Sequence, residues 1–306
     1  MTWTGAALEV LDQTLLPHAE VVTALETADA VADAIRRLAV RGAPLIGVAA
    51  AYGVVLAGAD DAAIARLRAA RPTAVNLAWA VDRVVAAPDR LAEAQAIERE
   101  DEEASAALAR HGADALEAAL GDGPLRLMTH CNTGALAASG RGTALGVVCE
   151  LADRRDVSVL VCEARPLLQG ARLTTWELAR AGIPHELIVD SAGAGLIARG
   201  EVDAVITGFD RVAANGDVCN KVGTYGLALA AHAAGVPFVA AGPSSSVDAD
   251  TPTGADIEVE ERDAGEVLRD WAPPGTRVRN PAFDVTPAAL VWALVTESGV
   301  SSAGAR

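Results

Sequence analysis

The spacing of apolar residues divides the chain into two parts. Up to about residue 115, apolar side chains recur at helical intervals in segments such as TADAVADAIRRLAV, NLAWAVDRVVAA and DRLAEAQAIEREDEEASAALARHG, which predicts amphipathic helices. The uncharged run from Gly42 to Ala59 contains Pro44 near its start and favours a buried helix over a membrane span. The acidic run from Glu98 to Glu103 is typical of a solvated helix face.

Beyond Gly121 the pattern changes to short apolar runs that are bounded by turn residues. These runs lie at 125–131, 157–163, 186–190, 203–208 and 236–241, and helix-like segments separate most of them. Continuous apolar strands that alternate with helices predict βαβ units and a parallel sheet. We therefore expect an α/β fold, with a mainly helical N-terminal domain over residues 1–120 and a Rossmann-like parallel-sheet domain over residues 121–306. The segment PAFDVTPAALVWALVTESG predicts a closing helix.

Polar residues follow the predicted strands. Two strands end at Cys131 and Asp190, two are followed by Arg165 and Asp210, and the last is followed by GPSSS. Because ligands bind beyond the carboxyl ends of an open parallel sheet, we expect these side chains to converge. Asp190 is either a ligand for a substrate hydroxyl or a helix N-cap, while Arg165 either pairs with Glu163 or binds phosphate.

His130 directly precedes Cys131 in the first predicted strand. Successive side chains of a strand point to opposite faces. The sequence therefore predicts no Cys–His dyad at this position.

The glycine pattern gives no sign of a nucleotide cofactor. Gly140, Gly142 and Gly146 have spacings of two and four residues, whereas the dinucleotide fingerprint needs two and three, and no Walker motif is present. We therefore expect no cofactor, although the stretch GALAASGRGT predicts a helix start that could bind an anion behind Cys131.

Charge and basic-residue usage narrow the choice of ligand. The formal net charge of −16 disfavours nucleic acid and anionic membranes as partners. An anionic substrate must then be held by local cations. Of the 25 basic residues, only Lys221 is a lysine, which suggests a site that needs a compact ammonium group rather than a guanidinium.

Cysteine and histidine spacing predicts neither a metal site nor a disulfide framework. None of the four cysteines, at positions 131, 149, 162 and 219, forms a CxxC pair, and the five histidines are scattered. This usage fits a reduced, cytoplasmic protein. The N-terminal MTWTGAALEV lacks the features of a signal peptide.

Several motifs, in order along residues 35 to 298, carry a family resemblance. They are VRGAPLIGVAAAYG, RPTAVNLAWA, MTHCNTGALAASGRGTALGVV, RPLLQGARLTTWEL, GFDRVAANGDVCNKVGTYGLALAA, GVPFVAAGPSSSVD and NPAFDVTP. Together they resemble the methylthioribose-1-phosphate isomerase family, which shares its fold with ribose-1,5-bisphosphate isomerase and with regulatory subunits of a eukaryotic translation-factor exchange complex. The resemblance implies a helical domain on a Rossmann-like domain, a sugar-phosphate substrate and a homodimer.

Carried over residue by residue, the resemblance implies that Cys131 and Asp210 are catalytic. It implies substrate binding by Arg41, Gly42, Ala43, Arg71, Gln169, Asn220 and Lys221, so the single lysine falls on a binding position. Three single residues depart from the family pattern, Phe209, Arg141 and Ala164, and so does the glycine-rich stretch DSAGAGLIARG. Because the catalytic pair is intact, these departures concern the C5 end of the substrate, where Arg141 is the candidate residue.

The implied reaction converts an aldose 1-phosphate into a ketose 1-phosphate. Phosphate on the anomeric oxygen prevents the simple ring opening of a free sugar, so an acid must protonate the ring oxygen. We assign that role to Asp210, whose pKa burial would raise, and the role of base at C2 to Cys131. A direct hydride shift from C2 to C1 stays open. Alternative substrates are 5-deoxyribose 1-phosphate and ribose 1,5-bisphosphate, and the alternative function is that of a non-catalytic regulatory subunit.

Overall fold

A three-stranded antiparallel sheet begins the chain, where the sequence pattern predicted helices. The computed structural model describes residues 1–71 and 75–301, so residues 72–74 of the RPT motif lie outside the described residues. The sheet contains β1 (Thr2–Trp3), β2 (Leu8–Leu11) and β3 (Val22–Leu25). The sequence analysis, which predicted a mainly helical N-terminal domain, missed these strands because they are shorter than the window over which periodicity is read.

Five helices follow: α1 (Ala28–Arg36), α2 (Ala43–Ala57), α3 (Asp61–Arg68), α4 (Val75–Ala86) and α5 (Arg90–Leu120). Side chains of Thr27, Asp60 and Asp89 cap α1, α3 and α5 by accepting a first-turn backbone N–H. Helix α2 is buried over most of its length, as its uncharged sequence predicted. No helix in the described parts of the chain is long and apolar enough to cross a membrane.

The acidic run of α5 is only partly solvated. Glu102 and Glu103 are exposed, whereas Glu98 accepts a hydrogen bond from the Tyr52 hydroxyl. Asp101 accepts a hydrogen bond from the Ser139 backbone N–H at 2.7 Å, and burial raises the pKa of its carboxyl group. The acidic run thus also ties α5 to its neighbours.

The rest of the chain alternates strands and helices. In chain order they are β4 (Leu125–Thr129), α6 (Ala144–Arg154), β5 (Val157–Cys162), α7 (Thr175–Arg180), β6 (His185–Ile188), α8 (Gly193–Ala198), β7 (Ala204–Thr207), β8 (Arg211–Ala213), β9 (Val218–Lys221), α9 (Thr224–Ala234), β10 (Phe238–Ala241), β11 (Val247–Asp248), α10 (Gly265–Leu268), β12 (Phe283–Thr286), β13 (Ala293–Thr296) and β14 (Gly299–Ser301). All five predicted strands are present.

The main sheet has the order β14-β13-β10-β7-β4-β5-β6. Its strands are parallel except for β14, which pairs antiparallel with β13. Counted along the chain, the six parallel strands lie in the order 3-2-1-4-5-6, which is the doubly wound arrangement with its switch point between the first and fourth strands. The crevice beyond β4 and β7 is therefore the place where this fold binds ligands.

A third sheet, of order β11-β8-β9-β12, lies after β7 in the chain and carries Asn220 and Lys221 on β9. In the antiparallel β9–β12 pair, Asn220 is opposite Asp284 and Lys221 is opposite Phe283. The sequence reading did not predict this sheet, whose strands have two to four residues.

Two predicted helix segments are wrong. The closing helix is instead β12, a short 3-10 turn, β13 and β14. Buried Val291, Ala293 and Val295 alternate with less buried residues, which is the period of a strand. The stretch from Gly134 to Thr143 forms turns, and α6 begins only at Ala144.

Apolar packing forms separate clusters. One contains only residues between Leu8 and Ile97, and another extends from Leu108 to Val295 under the main sheet. Helix α5 contributes Ile97 to the first and Leu108 to the second.

Candidate active site

Cys131 lies two residues beyond the end of β4, at the switch point of the main sheet. Its φ is +65°, a conformation that costs a non-glycine residue about 1–3 kcal/mol and that clusters at functional sites. The Thr174 hydroxyl donates to the Cys131 carbonyl oxygen at 2.6 Å. The half-buried thiol is thus held on a backbone that the surrounding loop fixes.

Asp210 follows β7, the strand next to β4. Its backbone N–H donates to the Cys219 carbonyl oxygen at 2.9 Å. Burial raises the pKa of the Asp210 carboxyl group, while the charges of Lys221, Arg71 and Arg41 oppose that rise. A carboxyl group with a raised pKa is suited to donate a proton near neutrality.

Glycine lets the two strand ends come together. A Cβ added at Gly208, two residues before Asp210, would lie 2.6 Å from the Thr133 side chain. The loop that carries Cys131 can therefore approach the end of β7 closely only because position 208 has no side chain.

One cavity brings most of the predicted site residues together. Cys131 and Asp210 line it with four of the predicted binding residues, Arg41, Gly42, Ala43 and Asn220. The thiol and the carboxyl group come from β4 and β7, the two strands that flank the switch point. Of the four strand-end side chains that were expected to converge, Cys131 and Asp210 line this cavity, whereas Arg165 and Asp190 do not.

Arg41 is fixed against the cysteine loop by Asn132, a residue that the sequence reading did not assign to the site. Its guanidinium donates to the Asn132 side-chain oxygen and to the Asn132 carbonyl oxygen, each at 2.6 Å. The Asn132 amide donates in turn to Glu177 at 2.7 Å, and burial raises the pKa of the Glu177 carboxyl group. The adjacent Cys131-Asn132 pair in the sequence was the available signal for Asn132, whereas Glu177 lies 45 residues away.

Gly42 and Ala43 place the N-terminus of α2 at the cavity. Gly42 has φ +98°, and a Cβ there would lie 2.4 Å from the Ala137 carbonyl oxygen. Position 42 therefore requires glycine for both conformation and space. A helix N-terminus favours an anion such as phosphate. In α2, however, Pro44 has no backbone N–H and the Leu45 N–H donates to the Ala137 carbonyl oxygen at 3.1 Å, so Ala43 provides the first-turn donor for such an anion.

Arg71 lines a neighbouring cavity that also contains Asp210, Gly42 and Ala43. Its guanidinium forms a 2.9 Å ion pair with Glu260, and Glu260 also pairs with Arg262 at 2.9 Å. Arg71 is therefore close to the candidate acid but is held by a carboxylate in this structure.

Lys221 and Gln169 are buried but do not line the cavity of Cys131 among the residues that the structure describes. The Lys221 ammonium lies 5.5 Å from the centre of the Phe283 ring, and its charge lowers the pKa of Asp210. The side-chain oxygen of Gln169 is buried without a hydrogen-bond partner in the described residues. Their binding roles stay predictions.

For Asp190 and Arg165, the structure speaks against one of the two alternatives that the sequence left open. The carboxylate of Asp190 accepts hydrogen bonds from the backbone N–H groups of Ala164 and Arg165 at 2.8 and 2.7 Å, so it caps a loop rather than a helix. The Arg165 guanidinium donates to the Val267 carbonyl oxygen and stacks over Trp271, instead of pairing with Glu163.

Arg141 does not reach the catalytic cavity. Its half-exposed guanidinium pairs with Asp153 at 2.5 Å, on the surface formed by the turn before α6 and the end of α6. Its assignment to the C5 end of the substrate was therefore wrong. Of the three single-residue departures from the family pattern, Phe209 is the one that lines the cavity.

The helix expected behind Cys131 is also displaced. The Leu145 backbone N–H in the first turn of α6 donates to the Thr133 hydroxyl at 3.2 Å. The N-terminus of α6 thus faces Thr133, and the candidate anion site at the cavity is that of α2.

A thiol and a carboxyl group at the switch point of a doubly wound sheet, beside arginines and a helix N-terminus, define a class of site suited to acid–base chemistry on a phosphorylated substrate. The initiation factor 2 subunit family matches residues 39–303, and the chain belongs to this family.

Proteins that are similar in sequence to this chain have isomerase names. A methylthioribose-1-phosphate isomerase of Anaeromyxobacter sp. (strain K) is 54% identical over 96% of this chain and 90% of its own. A probable bifunctional methylthioribose-1-phosphate isomerase/methylthioribulose-1-phosphate dehydratase of Nocardia farcinica is 53% identical over 98% of this chain, which spans 58% of that protein.

Solved structures share the whole fold. The 5-methylthioribose 1-phosphate isomerase of Pyrococcus horikoshii OT3 superimposes with a TM-score of 0.88 at 37% identity, over 98% of this chain and 91% of that one. The translation initiation factor eIF-2B subunit delta of A. fulgidus gives 0.83 at 36% identity, over 97% and 95%. The same fold therefore occurs in proteins named as isomerases and in proteins named as translation factor subunits. The residues of the site decide between these two functions.

Proposed function

We propose that the protein is an aldose–ketose isomerase that converts 5-methylthioribose 1-phosphate to 5-methylthioribulose 1-phosphate, a step of methionine salvage. The observation that carries the proposal is the shared cavity of Cys131 and Asp210 at the switch point. The names of the 54% identical relative and of the Pyrococcus horikoshii structure support it. A purely regulatory subunit has no need of such a pair.

In the proposed mechanism Asp210 is the general acid. As the ring C1–O bond breaks, the Asp210 carboxyl group donates its proton to the ring oxygen. Burial keeps that proton available because it raises the pKa of the group. Arg41, with the N-terminus of α2, holds the phosphate on C1.

Cys131, as thiolate, then removes the proton from C2, and the electron pair of the C2–H bond forms an enediol-type intermediate. Return of the proton to C1, with loss of the C2 hydroxyl proton to the Asp210 carboxylate, forms the C2 carbonyl of the ketose and restores the acid. Positioned acids and bases of this kind contribute about 10²- to 10⁴-fold each to a rate. A direct C2-to-C1 hydride shift, in which the two groups only polarise oxygens, is the second possible path.

The experiment that tests the function uses the purified protein with 5-methylthioribose 1-phosphate, 5-deoxyribose 1-phosphate and ribose 1,5-bisphosphate. We expect ketose phosphate from the first substrate, and losses of about 10²- to 10⁴-fold in Cys131→Ser and Asp210→Asn. Cys149→Ser, at a buried cysteine in α6, is the matched control. No turnover of any of the three would contradict the enzyme assignment.

Deuterium at C2 separates the two chemical paths. Exchange of the label with solvent during turnover supports Cys131 as a base, because a thiol that accepts a proton can lose it to water. Complete retention of the label at C1 would instead favour the hydride shift.

We further propose that the chain has the two-domain organisation expected from its sequence, with a division near Gly121, and acts as a homodimer in the cytoplasm. The two large apolar clusters, one from Leu8 to Ile97 and the other from Leu108 to Val295, support two units, although α5 contributes to both and the clusters divide within that helix rather than at Gly121. Four free cysteines suit a reducing compartment. Exposed Tyr225 and Leu229 on α9 offer an apolar surface for a second copy. Sedimentation analysis of the protein and of Leu229→Glu tests the dimer.

A further inference from the structure

Three potential metal-ligand side chains converge on the other side of the strand end that carries Cys131. His130 follows β4, Cys162 is the last residue of β5, and Asp190 follows β6. One donor atom from each residue lies within 4.8 Å of the others, and the His130 Nδ1 to Asp190 Oδ1 distance is 3.8 Å. Three neighbouring strands therefore deliver a nitrogen, a sulfur and an oxygen to one point. We call this set the His–Cys–Asp cluster.

The imidazole of His130 is arranged as in a metal ligand. Its Nε2 lies 2.8 Å from the Val222 carbonyl oxygen; since a carbonyl can only accept, Nε2 carries the proton and Nδ1 presents a lone pair. That Nδ1 atom is buried and has no hydrogen-bond partner among the described residues. Metal-binding histidines commonly use the second nitrogen to donate to a backbone carbonyl, which fixes the ring and its tautomer.

Asp190 is oriented in the same way. Both of its carboxylate oxygens accept backbone N–H groups, from Ala164 and Arg165, and the free lone pairs of an ionised carboxylate can still bind a cation. Its side chain is 29% exposed. Because His130 and Cys162 are fully buried, Asp190 provides the path by which an ion reaches the cluster from solvent.

We propose that the His–Cys–Asp cluster is a binding site for a borderline-soft divalent cation of the zinc class. Neutral imidazole, thiolate and carboxylate together carry a charge of −2, which balances the ion. The nearby Lys221 ammonium opposes binding, so we expect moderate affinity. Mg²⁺ and Ca²⁺ are not the preferred ions for this donor set, because they select oxygen ligands.

The required movement is small. Tetrahedral zinc, with bonds of about 2.0–2.3 Å, holds its ligand atoms roughly 3.3–3.6 Å apart, so the cluster closes by at most about 1.5 Å. When the ion binds, the Cys162 thiol proton leaves to solvent and a metal–sulfur bond replaces the S–H bond. The bound ion would join the ends of β4, β5 and β6, which stabilises the folded protein by linkage.

Titration of the full-length, chelator-treated protein with Zn²⁺ and with Co²⁺ tests this proposal. We expect one equivalent of each ion, a rise in Tm, and a near-ultraviolet sulfur-to-cobalt absorption band. Cys162→Ser should lose the band and weaken Zn²⁺ binding at least tenfold, and Asp190→Asn should weaken binding without loss of the band. Mg²⁺ should have no effect.

Cys131→Ser and Cys149→Ala are the matched controls. Both should keep the band and the Zn²⁺ affinity, which shows that the ion is not bound by the more accessible thiol of the catalytic cavity. The proposal is overturned if no ion binds to the folded protein, or if Cys131→Ser abolishes binding while Cys162→Ser retains it. Cys162→Ser changes one atom of a buried side chain, and its far-ultraviolet circular dichroism verifies folding.

Discussion

The end of β4 separates two polar regions that differ in how their groups are satisfied. On one side, Cys131 and Asp210 line one cavity. On the other, His130 is buried, Asp190 is partly exposed, and backbone groups orient both. Adjacent residues of one strand end therefore belong to a cavity and to a largely buried cluster. Chemistry on a substrate needs the first arrangement, while holding strand ends together needs the second.

The largest effect that sharpens this comparison is expected from the double variant Cys131→Ser/Asp210→Asn. If the two groups act as a unit on one substrate, the double variant should lose no more kcat than the worse single variant, because such effects are strongly non-additive. Steady-state kinetics of the singles and the double measure this. Losses that multiply would mean that the two residues act independently.

The next largest effect concerns the single lysine. Lys221→Arg should lower kcat/KM about 10- to 100-fold, since a guanidinium does not fit the buried space beside Phe283 and charge-assisted hydrogen bonds are worth about 1.5–3 kcal/mol. Arg71→Lys, at a position near solvent, is the comparison variant and should lose less. Equal losses in both would contradict a special need for ammonium at position 221.

Asn132→Ala should loosen Arg41 on the cysteine loop, because it removes the side-chain acceptor and leaves the backbone carbonyl oxygen of position 132. We expect KM to rise about tenfold, with a smaller change in kcat, because the lost hydrogen bond positions a phosphate-binding side chain rather than the reacting groups. Asn215→Ala, in an exposed turn, is the control. An unchanged KM would show that Arg41 is positioned by other contacts.

In the His–Cys–Asp cluster, Asp190→Asn should affect stability more than activity. An amide provides one acceptor oxygen in place of two, which leaves the Ala164 or Arg165 backbone N–H without its partner and costs about 1–3 kcal/mol of unfolding free energy. Urea unfolding in the presence of a chelator measures this. A loss of kcat as large as that of Asp210→Asn, at unchanged stability, would place Asp190 in the catalytic site instead.

The smallest effect is expected from Glu260→Gln. The Glu260 charge raises the pKa of Asp210, so its removal lowers that pKa. Because Asp210 must be protonated to act as an acid, activity falls as pH rises through this pKa, and the variant should lose activity at lower pH than the parent. At a fixed pH in the range where activity falls, we expect roughly a twofold loss of activity.

Glu266→Gln is its control, since Glu266 pairs with Arg262 and is not one of the main charges acting on Asp210. If the fall in activity at high pH moved to higher pH in Glu260→Gln, the acid role of Asp210 would be contradicted.

The sequence predicted five of the six parallel strands because buried parallel strands are continuous apolar runs. Their carboxyl ends pointed to Cys131 and Asp210 together with Arg165 and Asp190, and the family resemblance selected the first two. The prediction failed where the signal was short or non-local. The strands of the β11-β8-β9-β12 sheet have two to four residues, and β13 is marked only by alternation at Val291, Ala293 and Val295.

Contacts of the site that depend on residues distant in sequence also could not be predicted. Glu177 contacts Asn132 across 45 positions of sequence, and the members of the His–Cys–Asp cluster come from three strands with no recognisable spacing. Arg141 was assigned to the C5 end because it departs from the family pattern, which does not reveal that its side chain pairs with Asp153 on the surface.

Helix α5 has a consequence for how the molecule comes apart. It contributes Ala94 and Ile97 to the first apolar cluster and Leu108, Ala113 and Leu116 to the second. Because α5 is one continuous 31-residue helix, unfolding of either cluster removes the packing contacts of part of that helix. The two halves of the chain should therefore unfold in a single cooperative transition, although each has its own apolar core.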